Sequence, residues 1–196
     1  IREAAWRISV TLAMMREPDS VIDYYTKRVN VLHRKLGIPR DYGMRGLPFH
    51  REATDLVSVR CGVDGGHHLM TPATRSRWSA MEASASAAGI TLVVREAFRS
   101  VDKQALLIRE RLDCGYNLNG ILSEIAAPGY SQHHTGQALD INCVPAAEDF
   151  ENSSAFEWLC SNAGRYGFEL SYPRGNRFGL IYEPWHWCCN IHSASP

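Results

Sequence analysis

Two short stretches of the chain contain side chains that together could bind a metal ion and activate a water molecule. One stretch runs from residue 131 to 140 (SQHHTGQALD) and the other from residue 183 to 186 (EPWH). A catalytic zinc ion takes three protein ligands and leaves one position open for water. Two histidines and an aspartate offer such a ligand set, and a glutamate offers a further carboxylate beside it. The candidate ligands are His133, Asp140 and His186, and the further carboxylate is Glu183.

The first stretch predicts a strand that begins after Gly136. Its alternating pattern directs Leu139 and Ile141 toward the core and Asp140 toward the opposite face. His133 lies an odd number of residues before Asp140, so an unbroken strand would direct the two side chains to opposite faces. A turn that ends at Gly136 is therefore expected, because glycine readily adopts the backbone conformations that turns require.

The second stretch follows a predicted strand from Phe178 to Tyr182. Pro184 should interrupt this strand, because proline cannot donate a ladder hydrogen bond. The interruption can bring Glu183 and His186 to one site. The two tryptophans that adjoin His186 are expected to pack in the core, on the face opposite the imidazole.

Both stretches resemble motifs of the LAS metallopeptidases, the group that contains the VanY-type D-alanyl-D-alanine carboxypeptidases. A third segment, from Ala97 to Ser100 with Gln104, resembles the arginine segment found upstream in that group. The resemblance extends from about Leu47 to Trp187 and is specific when the motifs are taken together. The motif residues are Ser131, His133, Gly136, Ala138 and Asp140, followed by Glu183, Pro184, Trp185 and His186.

The resemblance implies a role for each matching residue. Zinc is the implied cofactor, with His133, Asp140 and His186 as its ligands, Glu183 as the catalytic base, and Arg99, Gln104 and Ser131 in contact with the substrate. Arg99 would stabilise either the developing oxyanion or the terminal carboxylate of the substrate, and the sequence leaves both roles open. His134 is not expected to be a ligand, because it adjoins His133 and would point elsewhere.

The implied reaction is the removal of the C-terminal D-alanine from peptidoglycan stem peptides, with muropeptides as the substrate. A peptidoglycan endopeptidase with the same zinc site is an alternative, and it would lack a pocket for a free carboxylate. A module that binds zinc without catalysis is disfavoured, because it would not need the carboxylate of Glu183. The sequence indicates no oligomeric state.

The cysteines and the first residues bear on the compartment and the bond that is cut. The six cysteines could form three disulfides or remain thiols, and the adjacent pair Cys188 and Cys189 cannot readily bridge. Free thiols and the absence of a leader before Ile1 favour the cytoplasm, with the periplasm or cell envelope as the alternative. A D,D-enzyme acting on pentapeptides would consume wall precursors there. The expectation is therefore an L,D-carboxypeptidase acting on tetrapeptides, with D,D-cleavage as the alternative.

Composition excludes two classes of function. The chain has 21 basic and 21 acidic residues, so no excess of positive charge indicates binding to nucleic acid. Hydrophobic residues make up 45% of the sequence, and no apolar run reaches the ~20 residues that span a bilayer. A cysteine-rich zinc site is disfavoured because no C-x-x-C pair is present. The adjacent His67 and His68 are interpreted as a solvated hairpin tip rather than a metal site.

The order of elements predicts an α+β fold, with a small and mainly antiparallel sheet flanked by helices. Residues 1–40 are expected to form a helical extension of two helices, with the break at Pro18, and residues 41–196 to form the zinc carboxypeptidase domain. The later elements are predicted as strand 55–59, helix 73–88, strand 90–94, helices 101–112, 118–125 and 155–166, and a hairpin over 169–182.

Overall fold

The computed structural model describes residues 19–61, 65–147 and 149–190. Within these ranges there are five α-helices and six β-strands. The helices are α1 (Asp19–Leu36), α2 (Pro72–Ala87), α3 (Val101–Asp113), α4 (Leu118–Glu124) and α5 (Ser154–Asn162). The strands are β1 (Val57–Arg60), β2 (His67–Met70), β3 (Thr91–Glu96), β4 (Ala138–Val144), β5 (Phe168–Leu170) and β6 (His186–Cys189). The predicted helix before Pro18 lies outside the described residues.

Every pair of neighbouring strands is antiparallel. β1 and β2 form a two-stranded sheet, and a four-stranded sheet has the order β3-β4-β6-β5. The α+β fold with a mainly antiparallel sheet is therefore confirmed. No helix in the described part of the chain is both long enough and apolar enough to cross a membrane.

One face of the four-stranded sheet packs on the main hydrophobic core. Leu139 of β4 and Trp187 of β6 are paired across the two strands, and both are buried in this core against Trp78 of α2. Helix α2 begins where the sequence predicts, because Thr71 accepts a hydrogen bond from the backbone N–H of Thr74 and a proline occupies the first helical position. The opposite face of β4 and β6 is thereby left for the functional residues.

A second core cluster joins the N-terminal helix to the helices beside the sheet. Leu36 at the end of α1 is buried in one cluster with Ile108 of α3 and Leu122 of α4. Arg28 of α1 also forms an ion pair with Asp102 in the first turn of α3. Helix α1 therefore supports α3, the helix that follows the candidate arginine segment.

Two predictions about the second stretch are wrong. Residues 178–182 form no strand: the backbone turns at Gly179, which has a φ of 69°, and the Ile181 amide bonds to Ser123 rather than to a neighbouring strand. Trp185 is 39% exposed rather than core, because it lies in a turn closed by the His186 amide and the Glu183 carbonyl. The prediction assumed an extended backbone, which begins only at His186.

Candidate active site

The candidate metal ligands come from two paired strands and the turn that precedes them. Asp140 of β4 and His186 of β6 are direct cross-strand partners, on the face opposite the Leu139–Trp187 pair. His133 lies in a single 3-10 turn, Gln132–Thr135, that ends at Gly136 with a φ of 63°. A side chain at Gly136 would meet Leu56 at 2.8 Å, so both the conformation and the space require glycine. The predicted turn thus directs His133 toward Asp140.

The three candidate ligands converge on one point. Asp140 Oδ1 lies 3.0 Å from His186 Nδ1 and 3.4 Å from His133 Nε2. The candidate ligand atoms of the three residues all lie within 4.8 Å of one another. Ligands that share one tetrahedral zinc at roughly 2.1 Å lie about 3.4 Å apart, so the set fits a zinc ion. Both imidazoles are almost fully buried, and the Asp140 side chain is more accessible.

Each candidate imidazole has a protein partner at its other ring nitrogen. His133 Nδ1 donates to the carbonyl oxygen of Ala97 at 2.6 Å, so its Nε2 faces Asp140. His186 Nε2 lies 3.0 Å from Gln132 Oε1, so its Nδ1 faces Asp140. Such partners hold a metal-binding imidazole in a fixed orientation.

The carboxylate of Asp140 stays charged although it is only partly exposed to water. Burial alone would raise its pKa, but the imidazoles of His133 and His186 hold the pKa of Asp140 well below its ordinary value. A charged carboxylate is the form that binds a metal ion. The site therefore offers one negative charge and two nitrogen donors.

Glu183 lies beside this set without being part of it. Its Oε2 is 3.7 Å from His186 Nδ1, and the residue is 9% exposed. Burial raises the pKa of Glu183 to about 7, because the charged carboxylate loses hydration. The backbone amide of Glu183 donates to the Tyr172 carbonyl, which fixes the turn that carries the carboxylate. A carboxyl group with such a pKa can exchange a proton near neutral pH.

Arg99 lines the same cavity, and three hydrogen bonds hold its guanidinium. Its Nε donates to Glu96 Oε1 at 2.7 Å, a second guanidinium nitrogen also contacts the Glu96 carboxylate, and Nη1 donates to Gln104 Oε1 at 3.0 Å. Gln104 in turn donates to the carbonyl oxygen of Ala126 at 2.7 Å and is 1% exposed. Both ends of the Gln104 amide are therefore bonded within the protein, and the guanidinium is fixed before any substrate arrives.

The segment before β4 also fixes Arg99 through its backbone. The amide of Arg99 donates to the His133 carbonyl, and the Arg99 carbonyl accepts from His134 Nδ1 at 2.6 Å. His134 Nε2 accepts from the amide of Gly129, so both nitrogens of this buried imidazole are bonded. Burial lowers the pKa of His134 to about 4, which keeps it neutral. As expected, His134 points away from the candidate ligands.

A single cavity of about 630 Å³ contains all of the candidate residues. Its lining includes Arg99, Gln104, Ser131, His133, Asp140, Glu183 and His186. Ser131 is only 4% exposed there. A second cavity of about 500 Å³ adjoins the first at Asp140 and Trp185. The exposed indole of Trp185 thus stands between two spaces that meet at the candidate metal position.

Comparisons with known proteins identify the family. The family model for VanY, described as D-alanyl-D-alanine carboxypeptidase, matches residues 67–190, well over half of the chain. The chain belongs to the VanY family. The resemblance found in the motifs is thereby confirmed.

The relatives agree with this VanY assignment. A D-alanyl-D-alanine carboxypeptidase of Enterococcus faecium is 30% identical over 121 residues, which cover 60% of this chain and 36% of that protein. The structure of the LdcB LD-carboxypeptidase has a TM-score of 0.64 and 25% identity, covering 72% of this chain and 71% of that one. A VanY from a VanB-type resistance cassette, solved in complex with Zn(II), has the same fold with a TM-score of 0.58 and 22% identity, covering 74% and 88%. The matched region spans between 36% and 42% of the length of the curated carboxypeptidases that the chain resembles.

Two residues of this VanY site, Glu96 and Gln132, were not predicted from the sequence to have a role. Glu96 follows a bulge in β3 and lies opposite Asp140, so Glu96, Asp140 and His186 form one row across three neighbouring strands. Gln132 precedes a candidate ligand and contacts the other histidine. The one sequence signal for Glu96 was its position at the exit of a strand, three residues before Arg99, and Gln132 had none.

Proposed function

We propose that this chain is a zinc-dependent carboxypeptidase that removes the C-terminal D-alanine from peptidoglycan stem peptides. The observation that carries the proposal is the convergence, in one cavity, of a three-ligand zinc set with a buried carboxylate and a fixed guanidinium. The buried carboxylate is Glu183 and the guanidinium is that of Arg99. A site that only stored zinc would have no need of either group.

The donor set fits zinc and leaves room for water. His133 through Nε2, Asp140 through Oδ1 and His186 through Nδ1 would hold the ion, with no fourth protein ligand among the described residues. A bound zinc ion lowers the pKa of water and polarises a carbonyl group. The remaining steps belong to the protein side chains.

Glu183 moves the proton. Its carboxylate accepts a proton from the attacking water as the water oxygen bonds to the peptide carbonyl carbon. It then donates that proton to the leaving nitrogen as the C–N bond breaks, which releases D-alanine as a free amino acid. Glu183 lines the same cavity as the three candidate ligands, so its carboxyl group is placed for both transfers.

Arg99 supplies fixed positive charge for the anionic group of the substrate. Glu96 and Gln104 together take three of its five N–H groups and leave the others for a substrate oxygen. The ligand is either the developing oxyanion or the terminal carboxylate. We propose that Gln104 acts through Arg99, whose guanidinium it holds, and that Ser131 contacts the substrate directly from the cavity wall.

We further propose that the L,D-bond of tetrapeptides is the bond that is cut and that the protein works in the cytoplasm. Six free thiols, including the adjacent Cys188 and Cys189, suit a reducing compartment, where D,D-cleavage would consume wall precursors. The fold similarity to an LD-carboxypeptidase supports this choice. Cleavage of the D,D-bond of pentapeptides is the second candidate, favoured by the sequence similarity to enterococcal D-alanyl-D-alanine carboxypeptidases. Cell fractionation with an antibody tests the compartment.

Purified enzyme should be offered tetrapeptide, pentapeptide and cross-linked muropeptides side by side, with products weighed by mass spectrometry. Release of D-alanine from the tetrapeptide, leaving the tripeptide, is expected. Release from the pentapeptide alone would replace the L,D-assignment with the D,D-assignment. Cleavage of the cross-linked muropeptides alone would make the enzyme an endopeptidase, and no cleavage of any substrate by zinc-loaded protein would refute the proposed function.

A further inference from the structure

Tyr172 lies beside a candidate zinc ligand, in the wall of the candidate active site. It follows β5 by two residues, is only 3% exposed and lines the same cavity as Glu183 and His186. The centroid of its ring is 4.9 Å from that of the His186 imidazole and 6.1 Å from that of the Phe178 ring. These two neighbouring rings restrict the rotation of the phenol, so its hydroxyl group has a defined position beside the cavity.

The hydroxyl group of Tyr172 has no hydrogen-bond partner among the described residues, although a buried tyrosine hydroxyl usually has one. Tyr42 shows the contrast, because it is equally buried and its Oη accepts a hydrogen bond from the Ala127 amide at 3.1 Å. In the described part of the chain, the side-chain polar atoms that are both unpaired and sealed from solvent are His50 Nε2 and Trp78 Nε1. Tyr172 Oη is not one of them, so it retains accessible surface, and the space that this residue lines is the cavity.

Tyr172 and Arg99 approach the cavity from opposite edges of the four-stranded sheet. Arg99 follows the edge strand β3 and Tyr172 follows the edge strand β5. The candidate ligands Asp140 and His186 lie on β4 and β6, the two strands between these edges. Both Arg99 and Tyr172 line the one cavity, so a peptide bound there would have a hydrogen-bond donor on either side, one of them charged and the other neutral.

We infer that Tyr172 binds the substrate and donates a hydrogen bond to the carbonyl oxygen of the scissile peptide bond. The inference rests on the proposed carboxypeptidase function, in which two groups of the substrate need a donor. The terminal carboxylate is charged throughout, and a guanidinium is its stronger partner. The carbonyl oxygen gains negative charge only as water attacks, and tyrosine hydroxyls are among the donors that stabilise such an oxyanion. Arg99 is thereby assigned to the terminal carboxylate and Tyr172 to the developing oxyanion, with the phenol keeping its proton.

The informative substitution is Tyr172→Phe, which keeps the ring that packs against His186 and removes only the hydroxyl group. Removal of one donor to an oxyanion typically lowers kcat by about 10²–10³-fold, and a fall of that size is expected on the muropeptide that the wild type cleaves. KM should change by less than about threefold, because the lost interaction forms only in the transition state. Zinc content, and the melting temperature of the metal-free protein, should match those of the wild type, because no hydrogen bond within the described protein is lost.

Tyr42→Phe is the matched control, because it removes the hydroxyl group of an equally buried tyrosine that does not line the cavity. It should keep the kcat of the wild type and lower the melting temperature, since the Ala127 amide loses its acceptor. A purely structural role for the Tyr172 hydroxyl would make Tyr172→Phe behave as Tyr42→Phe does.

The second readout needs no turnover. A phosphinate analogue of the peptide has a tetrahedral centre with a charged oxygen, as the transition state does, and Tyr172→Phe should weaken its binding to zinc-loaded protein by a factor similar to the fall in kcat. A kcat within about threefold of the wild type, a rise in KM at unchanged kcat, or equal affinity of both proteins for the phosphinate would overturn the inference. A wild type that cleaves no muropeptide would instead refute the proposed function, and binding of the phosphinate would still test Tyr172.

Discussion

The substitution Glu183→Gln should abolish hydrolysis and stabilise the metal-free protein at the same time. The amide has nearly the same shape as the carboxylate but cannot accept the proton of water. Loss of a general base typically costs 10²–10⁴-fold in rate, and a fall in kcat of that size is expected. Zinc content should not change, because Glu183 lies outside the His133, Asp140 and His186 set.

The gain in stability follows from the burial of Glu183. Burial raises its pKa from 4.5 to about 7, so the folded metal-free chain holds a proton that the unfolded chain releases between these values. The free energy of unfolding must therefore fall as the pH rises through this window, by about 3 kcal/mol above pH 7 at 1.36 kcal/mol per pKa unit. Glutamine does not titrate and avoids this loss. The difference between the two proteins should be close to zero at pH 4.5 and largest at pH 8.

The assays are urea denaturation and thermal unfolding of chelator-treated wild type and variant at both pH values, with turnover and zinc content measured on loaded protein. A gain of about 3 kcal/mol should raise the melting temperature at pH 8 by roughly 6–12 °C in a chain of this size. Glu169→Gln, which changes an exposed carboxylate on β5, is the control and should alter neither activity nor stability. Near-normal turnover in Glu183→Gln would refute its role as the base, and equal stability at pH 8 would refute the cost assigned to its burial.

Four further substitutions test three other residues of the site and one residue outside it. Asp140→Ala should remove both zinc and activity, since it deletes one of three protein ligands; stoichiometric zinc in the folded variant would contradict the ligand assignment. Arg99→Lys should keep zinc and lower kcat/KM by about 10²–10³-fold, because an ammonium cannot reproduce the fixed donor geometry. Glu96→Gln should cause a smaller loss of kcat/KM. Unchanged kinetics in both variants would exclude the role of Arg99 in binding the anionic group of the substrate. Burial lowers the pKa of His33 below 6.5, so the unfolded chain binds a proton that the folded chain does not, and stability falls as the pH drops below 6.5. His33→Gln should reduce the loss between pH 7.5 and 5 in denaturation of chelator-treated protein, and an identical loss would contradict this assignment.

The parts of the fold that the sequence predicts are those set by local pattern. Alternation in β4 gives the faces of Leu139 and Asp140, and a capping threonine before a proline gives the start of α2. The turn at Gly136 follows because His133 and Asp140 are an odd number of residues apart, and an unbroken strand would direct them to opposite faces. Each of these features depends on neighbours within a few residues, which the sequence displays directly.

The features that the sequence did not reveal depend on contacts between distant segments. The apolar run from residue 178 to 182 has strand-like composition, but the amide of Ile181 bonds to Ser123, far away in the chain. The contact between Gln132 and His186 joins residues 54 positions apart, and no periodicity in the sequence encodes it. Trp185 is likewise exposed because it lies in a two-residue turn. Amino-acid composition does not specify the geometry of that turn.

The candidate ligands Asp140 and His186 meet only if β4 and β6 pair in the native register. Leu139 faces Trp187 on the core side, and on the other side Asp140 faces His186. A slip of one residue between the strands would send every side chain of one strand to the wrong face, so Asp140 could not meet His186 while Trp187 remained buried. An ion that requires both ligands would therefore bind only chains with the native strand register, and it would draw misaligned folding intermediates toward that register by mass action.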